Sequence, residues 1–269
     1  MHELPISRGA RRLTEEEKEQ FQQWGYVKNL PLFDESVLPL LQNGFEEMVD
    51  LLPPHIHMSR INNWHKANRW VYDLSQTQAI LDYIEGLIGA NFILWGAHCF
   101  AKFPGDGTVV PWHQDAQYWP LQPAKTVSVW LAIYDSDEQN AAMRIVRGSH
   151  RYVLEHHMID KEHYVLNQEV NGEAIKPEEV VSMDLKAGEI SLHDNRLLHG
   201  SGPNHSDRIR AGQTMRFCPT EVKCDLSVWP KFESYLVPGV DEYEHNPVGK
   251  VPNGYSYPMK TGQGSWEFP

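Results

Sequence analysis

Apolar residues at helical spacing mark three segments in the first third of the chain. Thr14-Glu15-Glu16-Glu17 has the form of a capping box, so a helix is expected from there to Trp24, stopped at Gly25. A second follows Asp34, where Val37, Leu38, Leu41, Phe45, Met48, Val49 and Leu52 recur at steps of three and four until Pro53-Pro54 ends the run. Ser75 with Gln78 repeats the box before Ile80, Leu81, Ile84, Leu87 and Ile88, and Gly89 closes that stripe. Residues 1–90 therefore read as a mainly helical flank.

Beyond Asn91 the period changes. Runs rich in β-branched and aromatic residues alternate with Gly, Pro, Asn and Asp, which predicts strands near 92–103, 108–114, 126–134, 143–147, 163–170, 180–185, 189–193, 196–201 and 210–221. Many short strands with turns between them suggest a sandwich or jelly roll, whose closely spaced sheets can carry a site between them. The expected fold is mainly β with flanking helices, its core over 91–221. Residues 222–269, rich in Pro, Gly and Tyr towards the end, read as irregular covering structure within one domain spanning 1–269.

Composition narrows the function classes. Hydrophobic residues make up 41% and charged residues 22% of 269, and no run of apolar residues is long enough to span a membrane, so a protein with no membrane partner is expected. Met1 to Arg8 has no apolar signal region, which makes the cytoplasm the expected compartment. Cys99, Cys218 and Cys224 lack C-x-x-C spacing, so neither a disulfide framework nor a zinc knuckle is indicated. A formal net charge of -12 argues against nucleic acid as a partner, because that requires a basic footprint. A local cationic pocket is compatible with it. Nothing in the pattern reads out an oligomeric state.

The chemistry concentrates in Trp112-His113-Gln114-Asp115, with Leu198-His199-Gly200-Ser201 and Arg210 downstream. In an extended segment residues two apart share a face, so His113 and Asp115 can reach one ion, and His199 can close the set from a second strand. Two imidazoles and one carboxylate with open positions are the ligands of a mononuclear non-haem iron(II) centre, which points to an oxygen-activating enzyme. A second His-x-Asp, His205-Ser206-Asp207, lies in the run Gly202-Pro203-Asn204 onward and reads as a turn. The other histidines read as surface or hydrogen-bonded residues. His193, one strand before His199, is the best candidate to orient a ligand from behind.

These residues resemble the phytanoyl-CoA dioxygenase family of iron(II)- and 2-oxoglutarate-dependent oxygenases over roughly residues 10–220. The resemblance is carried by His113-Gln114-Asp115-Ala116-Gln117-Tyr118-Trp119-Pro120, Gly148-Ser149-His150-Arg151, Gly188-Glu189-Ile190-Ser191-Leu192-His193, and His199-Gly200-Ser201-Gly202-Pro203-Asn204 with Arg210. It implies a double-stranded β-helix, iron(II) on His113, Asp115 and His199, and 2-oxoglutarate and dioxygen as cosubstrates. It also implies Arg210 on the distal carboxylate of 2-oxoglutarate, Ser201 beside it, and Lys102 and Trp130 near the cosubstrate. A guanidinium offers paired donors and keeps its charge, which suits that anchoring role. Arg208 is the rival anchor, and Lys102 and Trp130 read equally as a strand-end lysine and a core aromatic.

The chain departs from the family pattern at Ala141, where relatives have glycine after the asparagine, and at Arg147, where they have proline before Gly148. Halogenating relatives replace the carboxylate corresponding to Asp115 with a small residue, so the resemblance implies hydroxylation. The expected reaction hydroxylates an unactivated C–H and releases succinate and carbon dioxide. The substrate class is a small anionic or zwitterionic metabolite, an amino acid or aminophosphonate, with acyl-CoA or natural-product hydroxylation as the alternative. Arg60, Asn62 and Arg69, in a cation- and aromatic-rich segment ending at Trp70, are expected to meet the substrate as a lid, with a solvated loop as the alternative. Tyr118 and Trp119 are expected in the pocket wall. From a different class, a metal-free jelly-roll binding or scaffold protein stays open, since fold does not dictate function.

Overall fold

Thr14 accepts a hydrogen bond from the Glu17 amide and Glu17 reaches back to the Thr14 amide, so the expected box starts α1 (Glu15–Trp24). Gly25, at φ 81°, stops it in the left-handed conformation. This computed structural model describes residues 10–172 and 175–258. The beginning of the helical flank, 1–9, and the end of the covering segment, 259–269, lie outside the described residues. After α1 come β1 (Tyr26–Pro31), α2 (Leu38–Asp50), α3 (Arg69–Ser75) and α4 (Gln78–Ile88). The strands β2 (Phe92–Lys102), β3 (Val110–His113), β4 (Leu121–Gln122), β5 (Val127–Ala132), β6 (Arg144–Val146), β7 (His156–Met158) and β8 (Gln168–Val170) follow. The last are β9 (Val180–Ser182), β10 (Glu189–Asp194), β11 (His199–Ser201), β12 (Arg210–Pro219), β13 (Lys223–Cys224) and β14 (Tyr235–Leu236). Every predicted strand run overlaps one of these.

The patterning of the helical flank needs two corrections. β1 is a strand because it pairs antiparallel with β10, a partner more than a hundred residues away that no local period reports. The box expected at Ser75 does not form. Asn68 caps α3 by accepting from the Val71 amide, so Ser75 ends that helix with its hydroxyl on the Tyr72 carbonyl, and α4 begins after Thr77. Asp34 caps a single 3-10 turn ahead of α2.

Two antiparallel sheets carry the architecture. One has the order β1-β10-β5-β12-β2-β14 and the other β3-β11-β6-β9. The two sheets are not joined into a closed barrel among the described residues, so the architecture on view is layered sheet with short flanking helices. Residues 222–258 are less irregular than their composition suggests, since β13 pairs with β4 and β14 adds an edge strand to β2.

Strand alternation gives the larger sheet two unlike faces. Val129, Leu131, Ile190, Leu192 and Met215 share one continuous core with Phe45, Met48, Trp70 and Ile84 of the helices. The opposite face carries Ser128, Trp130, Ser191, His193, Arg210 and Thr214, all buried. It meets the smaller sheet, for the His193 and His199 rings lie 5.3 Å apart and Arg210 bonds to Ser201. A polar space between two sheets is where the chemistry collects. No helix among the described residues is long and apolar enough to cross a membrane.

Candidate active site

β3 and β11 pair so that His113 and His199 stand directly opposite, with ring centroids 4.1 Å apart. Asp115 opens the 3-10 turn after β3, and its Oδ1 lies 3.5 Å from His113 Nε2. One donor atom from each of the three residues lies within 4.8 Å of the other two, and all three side chains are buried. His113 Nδ1 is 2.8 Å from the Pro111 carbonyl and His199 Nδ1 is 2.9 Å from the Leu197 carbonyl. A carbonyl only accepts, so each Nδ1 donates to its carbonyl and each Nε2 is the ring atom left to meet a metal ion. His193, expected to orient a ligand, does not do so by hydrogen bonding; the backbone two residues back does.

Electrostatics prepares the same state. Burial and the neighbouring His113 push the His199 imidazole down to about 3, which keeps it neutral. Burial works against charge on Asp115, but the His113 hydrogen bond and the fields of His199 and Arg216 prevail and hold its carboxyl well below the usual range. Two imidazoles and a carboxylate fit a divalent iron ion, with coordination positions left for other ligands. His205 and Asp207 are exposed in their turn and take no part.

Gln114, which the sequence reading passed over, holds this motif in place. Its side chain points away from its neighbours, donating to the carbonyls of Tyr152 (2.8 Å) and Arg196 (2.5 Å) and accepting from the Leu154 amide (2.9 Å). Its position between the two ligands was the available signal, since alternation sends the middle residue to the opposite face.

Arg210 begins β12, buried, with Nε and Nη2 on the Ala141 carbonyl at 3.1 and 3.0 Å and Nη2 on Ser201 Oγ at 3.2 Å. No carboxylate among the described residues pairs with it. Its guanidinium lies 5.7 Å from the centre of the Trp130 ring, and Gly212 admits that ring because a Cβ there would come within 2.1 Å of it. Burial lowers Arg210 only to about 10, so it stays a cation. Arg208, the rival, is committed elsewhere, with Nη2 at 2.8 and 2.9 Å from the two Asp137 oxygens. Lys102 faces Arg210 across the strand pair and donates to the carbonyls of Thr108 and Gly202; burial and the nearby Arg210 push it down to about 7.

The expected substrate residues separate. Tyr118 lies edge-on to His113 at 6.0 Å, and Trp119 packs edge-on against Trp95 at 4.6 Å. Asn62 makes an isolated bridge to His98, on the polar face of β2. Arg69 pairs with Asp73 at 2.6 Å on its own helix, and Arg60 is exposed at the end of a 3-10 turn. Their segment is not a solvated loop, because Ile61, Trp64 and His65 are fully buried. A cation that the reading missed, Arg216, does face the metal ligands; six residues on from Arg210, it shares that residue's strand face.

A model of the phytanoyl-CoA dioxygenase family matches residues 46–212. A probable alpha-ketoglutarate-dependent hypophosphite dioxygenase of Stutzerimonas stutzeri is 29% identical over 152 residues, 55% of this chain and 53% of that protein. A phytanoyl-CoA dioxygenase domain-containing protein 1 homolog of Dictyostelium discoideum is 30% identical over 161 residues, 57% of this chain and 56% of that one. The chain spans about half the length of the curated relatives it matches. Of solved structures, CytC3 with Fe(II) and alpha-ketoglutarate shares the fold at a TM-score of 0.67 and 22% identity, covering 93% of this chain and 97% of that one. The apo non-heme monooxygenase ThoJ gives 0.72 at 24% identity, covering 88% and 89%.

Proposed function

This chain belongs to the phytanoyl-CoA dioxygenase family of iron(II)- and 2-oxoglutarate-dependent oxygenases, and from that premise we propose that it hydroxylates a C–H of a small anionic or zwitterionic metabolite of the amino acid or aminophosphonate class. The observation that carries the reading is the buried triad His113, Asp115 and His199 standing between the same two sheets as Arg210, a buried cation without a carboxylate partner among the described residues. A buried charge in that position is costly until a counter-ion arrives, and a dicarboxylate supplies one.

His113, Asp115 and His199 would hold iron(II), and Arg210 with Ser201 would receive the far carboxylate of 2-oxoglutarate over Trp130, with Lys102 adding positive potential. The loaded iron centre supplies the oxidation that turns C–H into C–OH, with succinate and carbon dioxide released. The chain's own contribution is positional. Carbonyl contacts from Pro111 and Leu197 keep both Nε2 atoms aimed inward, and Gln114 fixes the turn that carries Asp115.

A polar substrate is supported by the face opposite the triad. Ser128 Oγ, Ser191 Oγ and His193 Nδ1 are buried there without a partner among the described residues, which suits hydrogen bonding to a small polar molecule better than it suits an acyl chain. We read the two facing sheets as the halves of a double-stranded β-helix in one catalytic unit. The cytoplasm is the proposed compartment, supported by three buried free cysteines.

Anaerobic addition of iron(II) and 2-oxoglutarate tests the oxygenase assignment, with a visible absorption band expected. A succinate-release screen over amino acids, aminophosphonates and acyl-CoA thioesters tests the substrate class. Stimulation by acyl-CoA thioesters alone would replace the small-metabolite reading.

A further inference from the structure

We propose that Arg216 is the residue that receives the anionic group of the prime substrate, with Trp95 and Trp119 gripping its guanidinium beside the metal ligands. The inference rests on the small-metabolite reading and deepens it by assigning the end of the substrate that carries the charge.

Arg216 lies on β12, on the same strand face as Arg210 and Thr214. Six residues of strand place the two arginines about 20 Å apart along the backbone, too far to share one small dicarboxylate. They serve opposite ends of the space. Arg210 bonds to Ser201, at the far end of β11 from the metal ligand His199. Arg216 sits in a row that crosses the sheet from His193 through Ser128 to Arg216 and Gly96, and His193 touches the His199 ring. Neighbouring strands are about 4.8 Å apart, so this row brings Arg216 within about 10 Å of His193. The carboxylate whose charge acts on Arg216 is Asp115.

The surroundings hold the cation yet leave it unsatisfied. Trp119 and Trp95 ring centres lie 5.0 and 5.8 Å from the guanidinium carbon, and the two rings meet edge-on. Trp95 is aimed there by a bulge: Arg216 pairs with Gly96 and Phe217 with Leu94, which leaves Trp95 as the extra residue. Gly96 provides room, since a Cβ on it would come within 3.3 Å of Arg216 Cδ. Trp119 follows directly on the turn that bears Asp115, so the clamp is tied to the metal motif by a few residues of chain. Arg216 makes no hydrogen bond or ion pair with any described residue, and its Nε is buried without a partner. An aromatic face attracts a cation but accepts no N–H bond along the guanidinium edge, so the planar fork of donors is left for an oxyanion. The side chain is only partly buried, and a ligand can reach it.

The chemistry recognised is a compact oxyanion, carboxylate or phosphonate, and two probes separate those sources. The full chain is loaded with manganese(II) in place of iron and saturated with N-oxalylglycine, which occupies the 2-oxoglutarate position. Methylphosphonate is followed by phosphorus relaxation and propionate by proton relaxation. Wild type is expected to show saturable paramagnetic relaxation of at least one probe, and whichever binds more tightly names the anion. Arg216→Gln should weaken that binding at least tenfold, and Arg216→Lys should restore part of it. Equal binding in Arg216→Gln overturns the proposal. So does wild-type relaxation of neither probe, or relaxation that N-oxalylglycine abolishes, and those two outcomes need no variant. The anaerobic iron(II) and 2-oxoglutarate band is read on separate portions of the same wild-type and variant preparations, loaded with iron(II) and 2-oxoglutarate instead. Its absence from wild type counts against the oxygenase reading, whereas its presence with unchanged oxyanion binding in Arg216→Gln counts against the role of Arg216 alone.

Discussion

Arg208 and Arg210 are two residues apart, and no spacing argument chooses between them because alternation would give both the same face. Their partners choose. Arg208 spends its charge on Asp137 at the surface, while Arg210 is buried against a carbonyl, a hydroxyl and an indole. Arg210→Ala is therefore expected to raise the 2-oxoglutarate requirement on the order of 10- to 100-fold, about 1.4–2.8 kcal/mol of binding. Arg208→Ala should change it by no more than about the 1 kcal/mol of an exposed pair. A titration of succinate formation against 2-oxoglutarate checks both, and a reversed order would make Arg208 the anchor. The departure at Ala141 also has its cause at this scale. Ala141 takes φ 67° and ψ 48° so that its carbonyl can meet Arg210, a conformation in which relatives use glycine. Ala141→Gly should raise stability by about 0.5–1 kcal/mol in a denaturant titration; a loss would mean that packing of the buried methyl outweighs the strain.

Among the elements, those written in one short stretch of sequence were legible and those completed by a distant partner were not. The Thr14 box and the Gly25 stop need only four or five residues to agree. β1 depends on β10, and the Ser75 box failed because Asn68 had already started a helix through it. The segment from Arg60 to Trp70 is the instructive case, since its cations and aromatics read as a lid. Trp64 within it is fully buried in the main core, and Arg69 is held by Asp73. Trp64→Ala is accordingly expected to destabilise the protein by about 3–5 kcal/mol, read by thermal or chemical unfolding. A near-neutral result would return the segment to the status of a mobile cover.

For the molecule as a whole, burial of titratable groups between the sheets sets the acid limit of stability. His98, His193 and His199 are pushed down to about 3, about 4 and about 3, burial being the largest cause in each. In the unfolded chain each imidazole takes up its proton near pH 6.5, so below that pH the unfolded state gains protons that the native state refuses. Stability of the metal-free protein is thus fully present above about pH 6.5 and should fall as pH drops towards 4, by up to ~1.4 kcal/mol per histidine per pH unit. Denaturant midpoints measured across that range check it, and a flat profile from 6.5 to 4.5 would mean that these imidazoles are not held neutral. The overall charge of -12 hides the opposite local balance, for Lys102, Arg210 and Arg216 all face the polar space.

The ligand set, the caps of the first helix and the strand-rich core were determined by the sequence itself, because each is a matter of residue type and short-range period. His113 and Asp115 flank a single extended residue, Gln114, and that spacing sends the middle side chain away from the two ligands. Which cation meets which anion was decided only by the tertiary structure, since a guanidinium looks the same in sequence whether Asp137, Asp73 or two indoles await it. Arg216 became visible through a bulge opposite Gly96 and a turn that brings Trp119 across, contacts spanning more than ninety residues of chain. Pairing at that range is fixed by the packing of whole sheets, which no local pattern records.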